Sequence, residues 1–235
     1  NAGQITNYID QNGNGVLDAG EPSTVTAHDD PATTDVNEAG TYAFTGLAAG
    51  TYTVAEVVPD GFEQTYPTSG TQQITLASGQ VLEHLNFGNH DVAAPTADIV
   101  DVTPDPRFEP VEQITIVFSE IVTGVDFTDF SLTRDGVALT LTAANDPVTS
   151  DGGVTWVMPG LAGLTDVAAR YVLTLVASGS GIRDRSNNLL AVDASNAWEL
   201  QSLFDYGDAP APYPTLLPTG ARHAAVGPAL GAHRD

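Results

Sequence analysis

The chain has 235 residues, of which 42% are hydrophobic, and this is long enough for one or two domains with cores of their own. It carries 30 acidic residues and only seven basic ones, all arginine, so its net charge is −23 and nucleic acid and anionic lipid are excluded as partners. The absence of cysteine excludes disulfide bonds and thiol chemistry.

No apolar run is long enough for a membrane span, and no charged-then-apolar signal segment opens the sequence. Because the first residue is Asn1, we interpret the chain as a processed form or a piece of a longer protein. Membrane insertion is not expected. An acidic surface of this kind is typical of a chain coated with solvated carboxylates, of one with several calcium sites, or of both.

Residues 10–21 match the spacing of a twelve-residue calcium loop, with oxygen-bearing side chains at positions 1, 3, 5, 9 and 12 and Gly15 at position 6. The predicted ligands are Asp10, Asn12, Asn14, the backbone carbonyl of Val16, Asp18 and Glu21. The alternative is an ordinary cluster of turn-forming residues. The flanking segments are short, β-branched and polar, so the loop is expected to tie strands together and not to switch helices.

Short strands follow the loop. Apolar residues alternate in segments 41–47 and 51–59, and the short link that joins them contains glycine, which predicts a β-hairpin. Segments 72–78 and 81–89 are two further strand candidates. The first part of the chain is therefore predicted to form a small antiparallel sandwich of about six or seven strands.

Several motifs in this region resemble the SdrD-type B repeats of bacterial surface proteins, which are relatives of the collagen-adhesin B modules. The motifs are the loop at 10–21, Asp35 with the segment 40–44, the segment 46–56, and the segment 85–89. The resemblance covers about residues 4–90 and implies a calcium-rigidified stalk domain at residues 1–90. Many relatives carry a Lys–Asn isopeptide bond, which a chain without lysine cannot form, so calcium would have to provide the crosslink.

Residues 91–95 are predicted to be a linker, and residues 96–202 a second antiparallel sandwich of immunoglobulin type. Its predicted strands are 97–102, 113–120, 130–133, 138–143, 154–158, 171–177 and 197–200. Ile114, Ile116 and Phe118 alternate as in a strand with one buried face. Trp156 and Tyr171 are the predicted aromatic anchors of the core.

This second region resembles the bacterial Ig-like repeats of very large surface and S-layer-type proteins. The resemblance rests on the segments 116–124, 126–133 and 171–175 and on the run from Ile182 to Leu189. Acidic residues at the predicted strand ends could form a second calcium site if those ends converge. Its candidate ligands are Asp126, Asp129, Asp184 and Asp193. The alternative is that these residues only form turns.

Residues 203–235 are rich in proline and resemble the opening of another surface-protein module, which begins with a DYGDAP motif. We expect this tail either to be loose or to pack against a neighbouring domain or subunit.

Catalytic patterns are missing from the sequence. The five histidines lack metal-ligand spacing, and no serine lies in a nucleophile elbow. The chain is therefore predicted not to be an enzyme.

The leading hypothesis is a non-catalytic, calcium-rigidified structural module of a secreted bacterial cell-surface protein, with Ca²⁺ as its cofactor and an extracellular location. It would serve in a stalk, a matrix or a filament, next to neighbouring domains or identical subunits that exchange strands. The alternative is an adhesive module that recognises a glycan or a host or matrix protein through Phe62, Tyr66 and Tyr213.

Overall fold

The computed structural model describes residues 4–28 and 39–202, together with the backbone of two short strands in the segment 204–224. The chain divides into two compact units, Asn1–Ala93 and Ala94–Asp235. Both are built from antiparallel β-sheets, and the described helices are two single-turn 3-10 helices, Phe127–Asp129 and Ala143–Asn145. The predicted all-β class is confirmed.

The first unit contains six described strands in two sheets. They are β1 (Thr6–Asp10), β2 (Ser23–Val25), β3 (Gly50–Glu56), β4 (Phe62–Tyr66), β5 (Thr71–Leu76) and β6 (Gly88–Asp91). The larger sheet has the order β2-β1-β3-β5, and β4 pairs with β6 in the smaller one. The central strands β1 and β3 provide all the buried hydrophobic side chains of the described part of this unit: Tyr8, Ile9, Val54 and Ala55.

The predicted hairpin of segments 41–47 and 51–59 is wrong. Only the second segment forms a strand, β3, and both edges of β3 are occupied, by β1 and by β5. The alternating aromatic residues of the first segment make packing contacts outside any strand. The ring of Tyr42 packs against Phe44 and Phe87 at centroid distances of 6.0 and 6.4 Å, and its hydroxyl donates to the carbonyl of Leu85 over 2.6 Å. Segment 81–89 is likewise extended only from Gly88, where β6 begins.

The second unit contains two four-stranded sheets and a separate strand pair. Its strands are β7 (Ala97–Ile99), β8 (Ile114–Phe118), β9 (Phe130–Arg134), β10 (Val137–Leu139), β11 (Val148–Thr149), β12 (Thr155–Met158), β13 (Ala169–Leu175), β14 (Ala194–Leu200), β15 (Phe204–Tyr206) and β16 (Arg222–Ala224). The sheet orders are β10-β9-β13-β14 and β11-β12-β8-β7. All seven predicted strands are present, and β11 is additional.

Both four-stranded sheets of this unit contribute to one hydrophobic core. On β8, Ile114, Ile116 and Phe118 are buried, as the alternation predicts. Tyr171 is fully buried and lies opposite Trp198 in the register of β13 and β14, with the two rings stacked at 5.6 Å. The predicted anchor Tyr171 is thus confirmed, whereas Trp156 is only partly buried and Trp198 is the indole of the core.

The predicted tail, residues 203–235, lies mostly outside the described residues. Its described part is an antiparallel pair of backbone segments in which β15 faces β16, with Asp205 opposite His223. The described part of the chain contains no helix with the length and hydropathy that a membrane span requires.

Candidate metal site in the first unit

The predicted calcium loop begins at the last residue of β1 and returns to the sheet at β2. Pairing of β1 with β2 holds the two ends of the loop together, and the amide of Ile9 donates to the carbonyl of Pro22 over 2.8 Å. Gly15 has a φ of +74°, a left-handed conformation that favours glycine at the turn. The strands therefore set the loop at one end of the larger sheet.

Asp10 anchors the loop. It is only 6% exposed, and its two carboxylate oxygens accept hydrogen bonds from the amides of Gly13 and Gly15, at 2.6 and 2.9 Å. The bond from Gly15 is the largest influence on its pKa, which is held below the usual value even though burial acts in the opposite direction. Asp10 is therefore ionised at neutral pH, as a metal ligand must be.

Glu21 closes the loop from its other end. Its carboxylate oxygens accept from the amides of Gln11 at 2.8 Å and Asp18 at 2.9 Å. This carboxylate thus bridges the start of the loop and its ninth position. The bridge fixes the loop geometry on which a twelfth-position glutamate depends.

The middle of the loop is held by amide side chains. The side-chain nitrogens of Asn12 and Asn14 each donate to Oδ2 of Asp18 over 2.7 Å. Their side-chain oxygens accept from the amides of Asn14 and Val16. Asp18 therefore faces two partial positive charges.

The donor set of the loop fits a hard cation such as calcium, because it consists of three carboxylates, two carboxamides and a backbone carbonyl. No three carboxylates of the loop lie within 4.8 Å of one another among the described residues. Each carboxylate instead accepts hydrogen bonds, Asp10 and Glu21 from backbone amides and Asp18 from the two asparagine side chains. Their oxygens keep lone pairs beyond the hydrogen bonds described above.

The four aspartates of the predicted second site are distributed differently. Asp126 caps the 3-10 helix Phe127–Asp129 and accepts from Thr128, while Asp129 accepts from the amide of Asp126. Asp184 accepts from the backbone and side chain of Asn188, and Asp193 accepts from the amide of Ala177. Asp126, Asp129 and Asp184 thus stabilise their own loops, whereas Asp193 joins its loop to the segment that follows β13. No three of the four bring their carboxylates within 4.8 Å.

The second unit does bring one pair of acids together that the sequence motifs did not indicate. Carboxylate oxygens of Glu120 and Asp184 lie within 4.8 Å of each other. Glu120 follows β8 and Asp184 follows an isolated bridge between Thr123 and Arg183. Only the long-range pairing of these loops relates the two residues, so no local spacing could have revealed the pair.

Phe62 and Tyr66, the described aromatic candidates for ligand contact, lie on strand β4 and not in a loop. They are 44% and 58% exposed. Tyr213 lies outside the described residues.

Residues 3–86 match the family model of the SdrD B-like domain. No curated protein matches the chain. A crystal structure of the S-layer protein rSbsC is similar to 49% of this chain and to 15% of its own length, with 13% sequence identity and a TM-score of 0.32. The resemblance deduced from the motifs of the first unit is confirmed over residues 3–86, which match the SdrD B-like domain.

Proposed function

We propose that this chain is a non-catalytic structural module of a bacterial cell-surface protein, and that calcium bound at residues 10–21 rigidifies its first unit. The observation that carries this proposal is the loop itself. Asp10 and Glu21 enclose it from its two ends, and both carboxylates lie at the point where β1 and β2 meet.

Calcium would be held by Asp10, Asn12, Asn14, Asp18, Glu21 and the carbonyl of Val16. The ion supplies two positive charges to a loop whose three carboxylates accept hydrogen bonds from N–H donors of the described residues. Binding would exchange the two asparagine–Asp18 hydrogen bonds for contacts between oxygen and metal. The ends of β1 and β2 would then be joined by the ion in addition to their backbone pairing.

The family match supports the surface-protein part of the proposal. The charge of the chain supports the metal part, because 30 acidic residues attract divalent cations. In a chain that lacks both cysteine and lysine, neither disulfide bonds nor Lys–Asn isopeptide bonds can form, and coordination of a metal is another way to crosslink side chains. Neighbouring domains or identical subunits are the partners that a stalk or filament module would contact.

Calorimetric titration of the full chain with calcium tests this function. We expect a binding site that is lost in the double variant Asp10→Ala/Glu21→Ala. The matched control is Asp60→Ala/Glu63→Ala, which removes two exposed carboxylates from the same unit and should keep the site. Identical isotherms for the two double variants would overturn the proposal.

The exposed rings of Phe62 and Tyr66 favour a second candidate function, recognition of a glycan or a matrix protein. Aromatic rings on an exposed strand provide a flat stacking surface. A glycan array probed with the full chain and with the variant Phe62→Ala/Tyr66→Ala tests this candidate. Binding that both proteins share, or no binding at all, would remove it.

A further inference from the structure

Two asparagines of the sequence are followed directly by glycine, and both lie in the predicted calcium loop: Asn12 before Gly13, and Asn14 before Gly15. Both asparagines and both glycines are exposed. Such a pair is prone to an uncatalysed reaction in which the amide nitrogen of the glycine attacks the side-chain carbonyl of the asparagine. Glycine favours the attack because it has no Cβ to hinder the approach. The loop therefore combines predicted calcium ligands with two reactive pairs.

Asp10 holds both of the attacking nitrogens. The amides of Gly13 and Gly15 donate to its Oδ1 and Oδ2 at 2.6 and 2.9 Å. Asp10 is 6% exposed and belongs to β1, so the sheet fixes its position. A glycine nitrogen must lose its proton to attack, and a hydrogen bond from that N–H group to a carboxylate stabilises the protonated form. One buried carboxylate thus restrains both reactions.

The carbonyl groups under attack are in the opposite situation. Oδ1 of Asn12 accepts from the amide of Asn14 at 2.9 Å, and Oδ1 of Asn14 accepts from the amide of Val16 at 2.8 Å. A donor at a carbonyl oxygen stabilises the negative charge that develops there during the attack. The side-chain nitrogens donate to Oδ2 of Asp18 at 2.7 Å, which limits rotation of the side chains but does not involve the glycine nitrogens. The restraint on the attacking nitrogens therefore lies at Asp10.

We propose that Asn12 and Asn14 are modification sites that convert without an enzyme to aspartate or isoaspartate, and that Asp10 sets the rate by holding the two glycine amides. A solvent base takes the proton of the glycine N–H group, and the nitrogen forms a bond to Cγ. The bond from Cγ to Nδ2 breaks, and Nδ2 takes a proton from water and leaves as ammonia. Water then opens the resulting succinimide ring. Opening at the bond to Cγ gives aspartate, and opening at the bond to the backbone carbonyl carbon gives isoaspartate.

The two products change the loop in different ways. Aspartate keeps the backbone and adds a carboxylate, whereas isoaspartate adds a methylene group to the main chain. That group shifts the later positions of the loop relative to the earlier ones, so a loop that contains isoaspartate should bind calcium more weakly. This consequence rests on the calcium function proposed above, but the modification itself does not.

Peptide mapping of the full chain by mass spectrometry, with fragmentation that separates isoaspartate from aspartate, follows the reaction at mildly alkaline pH. EDTA is present throughout, so the result does not depend on calcium binding. We expect conversion at both sites to be at least about tenfold slower in the folded chain than in urea, because attack in the folded chain requires local opening of the loop. Asn86 is the internal reference, since it is exposed but precedes Phe87, and in urea it should convert more slowly than either site. Equal rates at the two sites with and without urea would overturn the proposal.

Asp10→Ala removes both acceptors and should accelerate conversion in the folded chain by about tenfold, as expected for the loss of a hydrogen bond to a charged group. Asp18→Ala is the matched control within the loop, because it releases the asparagine side chains and keeps the glycine amides held. Its effect should be smaller. Glu63→Gln removes one exposed carboxylate from β4 and should have no effect. Equal acceleration by Asp10→Ala and Asp18→Ala would contradict the role of Asp10, because the order of the loop alone would then set the rate.

If Asp10→Ala does not fold, Asp10→Asn takes its place. This variant keeps the shape of the side chain but only one acceptor oxygen, so one of the two glycine amides loses its partner. Conversion should then accelerate at one pair more than at the other. Unchanged rates at both pairs would contradict the proposal.

Discussion

The two units of this chain stabilise themselves in different ways. The core of the second unit contains nineteen buried hydrophobic residues within the described part of the chain. The described part of the first unit contains only four, as many as its buried polar side chains Asn7, Asp10, Thr26 and Glu56, whereas the described part of the second unit buries five polar side chains beside its much larger apolar core. Because buried apolar surface is the main source of folding free energy, the second unit can depend on its core, whereas the first depends more strongly on its polar groups.

The difference gives a physical reason for the calcium site that we propose in the first unit. Binding of an ion to the folded state alone adds stability by mass action, and this matters most in a unit with a small core. On our account calcium stabilises the first unit and leaves the second unit unchanged. The predictions below test this separation, beginning with the largest expected effect.

The largest effect is expected in the core of the second unit. Trp198→Ala removes a side chain that is 1% exposed and stacked on Tyr171, and we expect a loss of about 3–5 kcal/mol in the free energy of unfolding of this unit. Denaturant unfolding monitored by NMR signals of each unit measures it. The calcium response of the first unit should stay as in the unmodified chain. A simultaneous loss of that response would show that the units are not independent.

The second effect concerns the loop. Asp10→Ala/Glu21→Ala should abolish the calcium-dependent stabilisation of the first unit, which amounts to about 3 kcal/mol when calcium is about a hundredfold above its Kd. Thermal melts in calcium and in EDTA measure this increment, with Asp60→Ala/Glu63→Ala as the charge-matched control. If calcium still stabilised the first unit of the loop variant, the ion would bind at another site.

The third effect concerns the loss of a single buried hydroxyl group in the second unit, that of Tyr171. The hydroxyl of Tyr171 donates to the carbonyl of Val167 at 2.6 Å and accepts from its amide at 3.2 Å. Tyr171→Phe keeps the ring packing and leaves both backbone groups unpaired, so we expect a loss of about 1–2 kcal/mol, confined to this unit. Equilibrium unfolding in urea measures it, and an unchanged midpoint would contradict the expectation.

The smallest effect depends on pH. Burial raises the pKa of the Glu56 carboxyl, and the hydrogen bond from Asn89 acts in the opposite direction. The folded state therefore favours the protonated form, and the contribution of this group to stability is present below its ordinary pKa and is lost as the pH rises through the raised value. Glu56→Gln should thus raise the melting temperature of the first unit at neutral pH and have little effect in acid. Melts of both proteins across this pH range measure the difference, and a destabilisation at neutral pH would contradict it.

The strands of the second unit could be predicted from the sequence because their signals are local. On β8 and β13, hydrophobic residues alternate over five to seven positions, and those positions face one core. The role of Trp198 could not be predicted in this way, because it follows from the register between β13 and β14, which joins residues far apart in the sequence.

The first unit was harder to predict for the same reason. Its predicted calcium loop is contiguous, so spacing alone was enough to select every candidate ligand. The alternation around Tyr42 and Phe44 is equally regular, yet it produces no strand because β1 and β5 already occupy the edges of β3. A cavity of this unit, lined by Tyr42 and Glu56, draws its described lining residues from five separate segments of the chain, and no pattern within one of them indicates it.

Hydrogen exchange of the full chain, measured strand by strand in calcium and in EDTA, tests the central claim most directly. Our account predicts that EDTA lowers the protection of β1, β2 and β3, while β8, β13 and β14 exchange at the same rates in both conditions. Unchanged protection in the first unit, or an equal loss in both units, would contradict the claim that calcium compensates for the small core of the first unit.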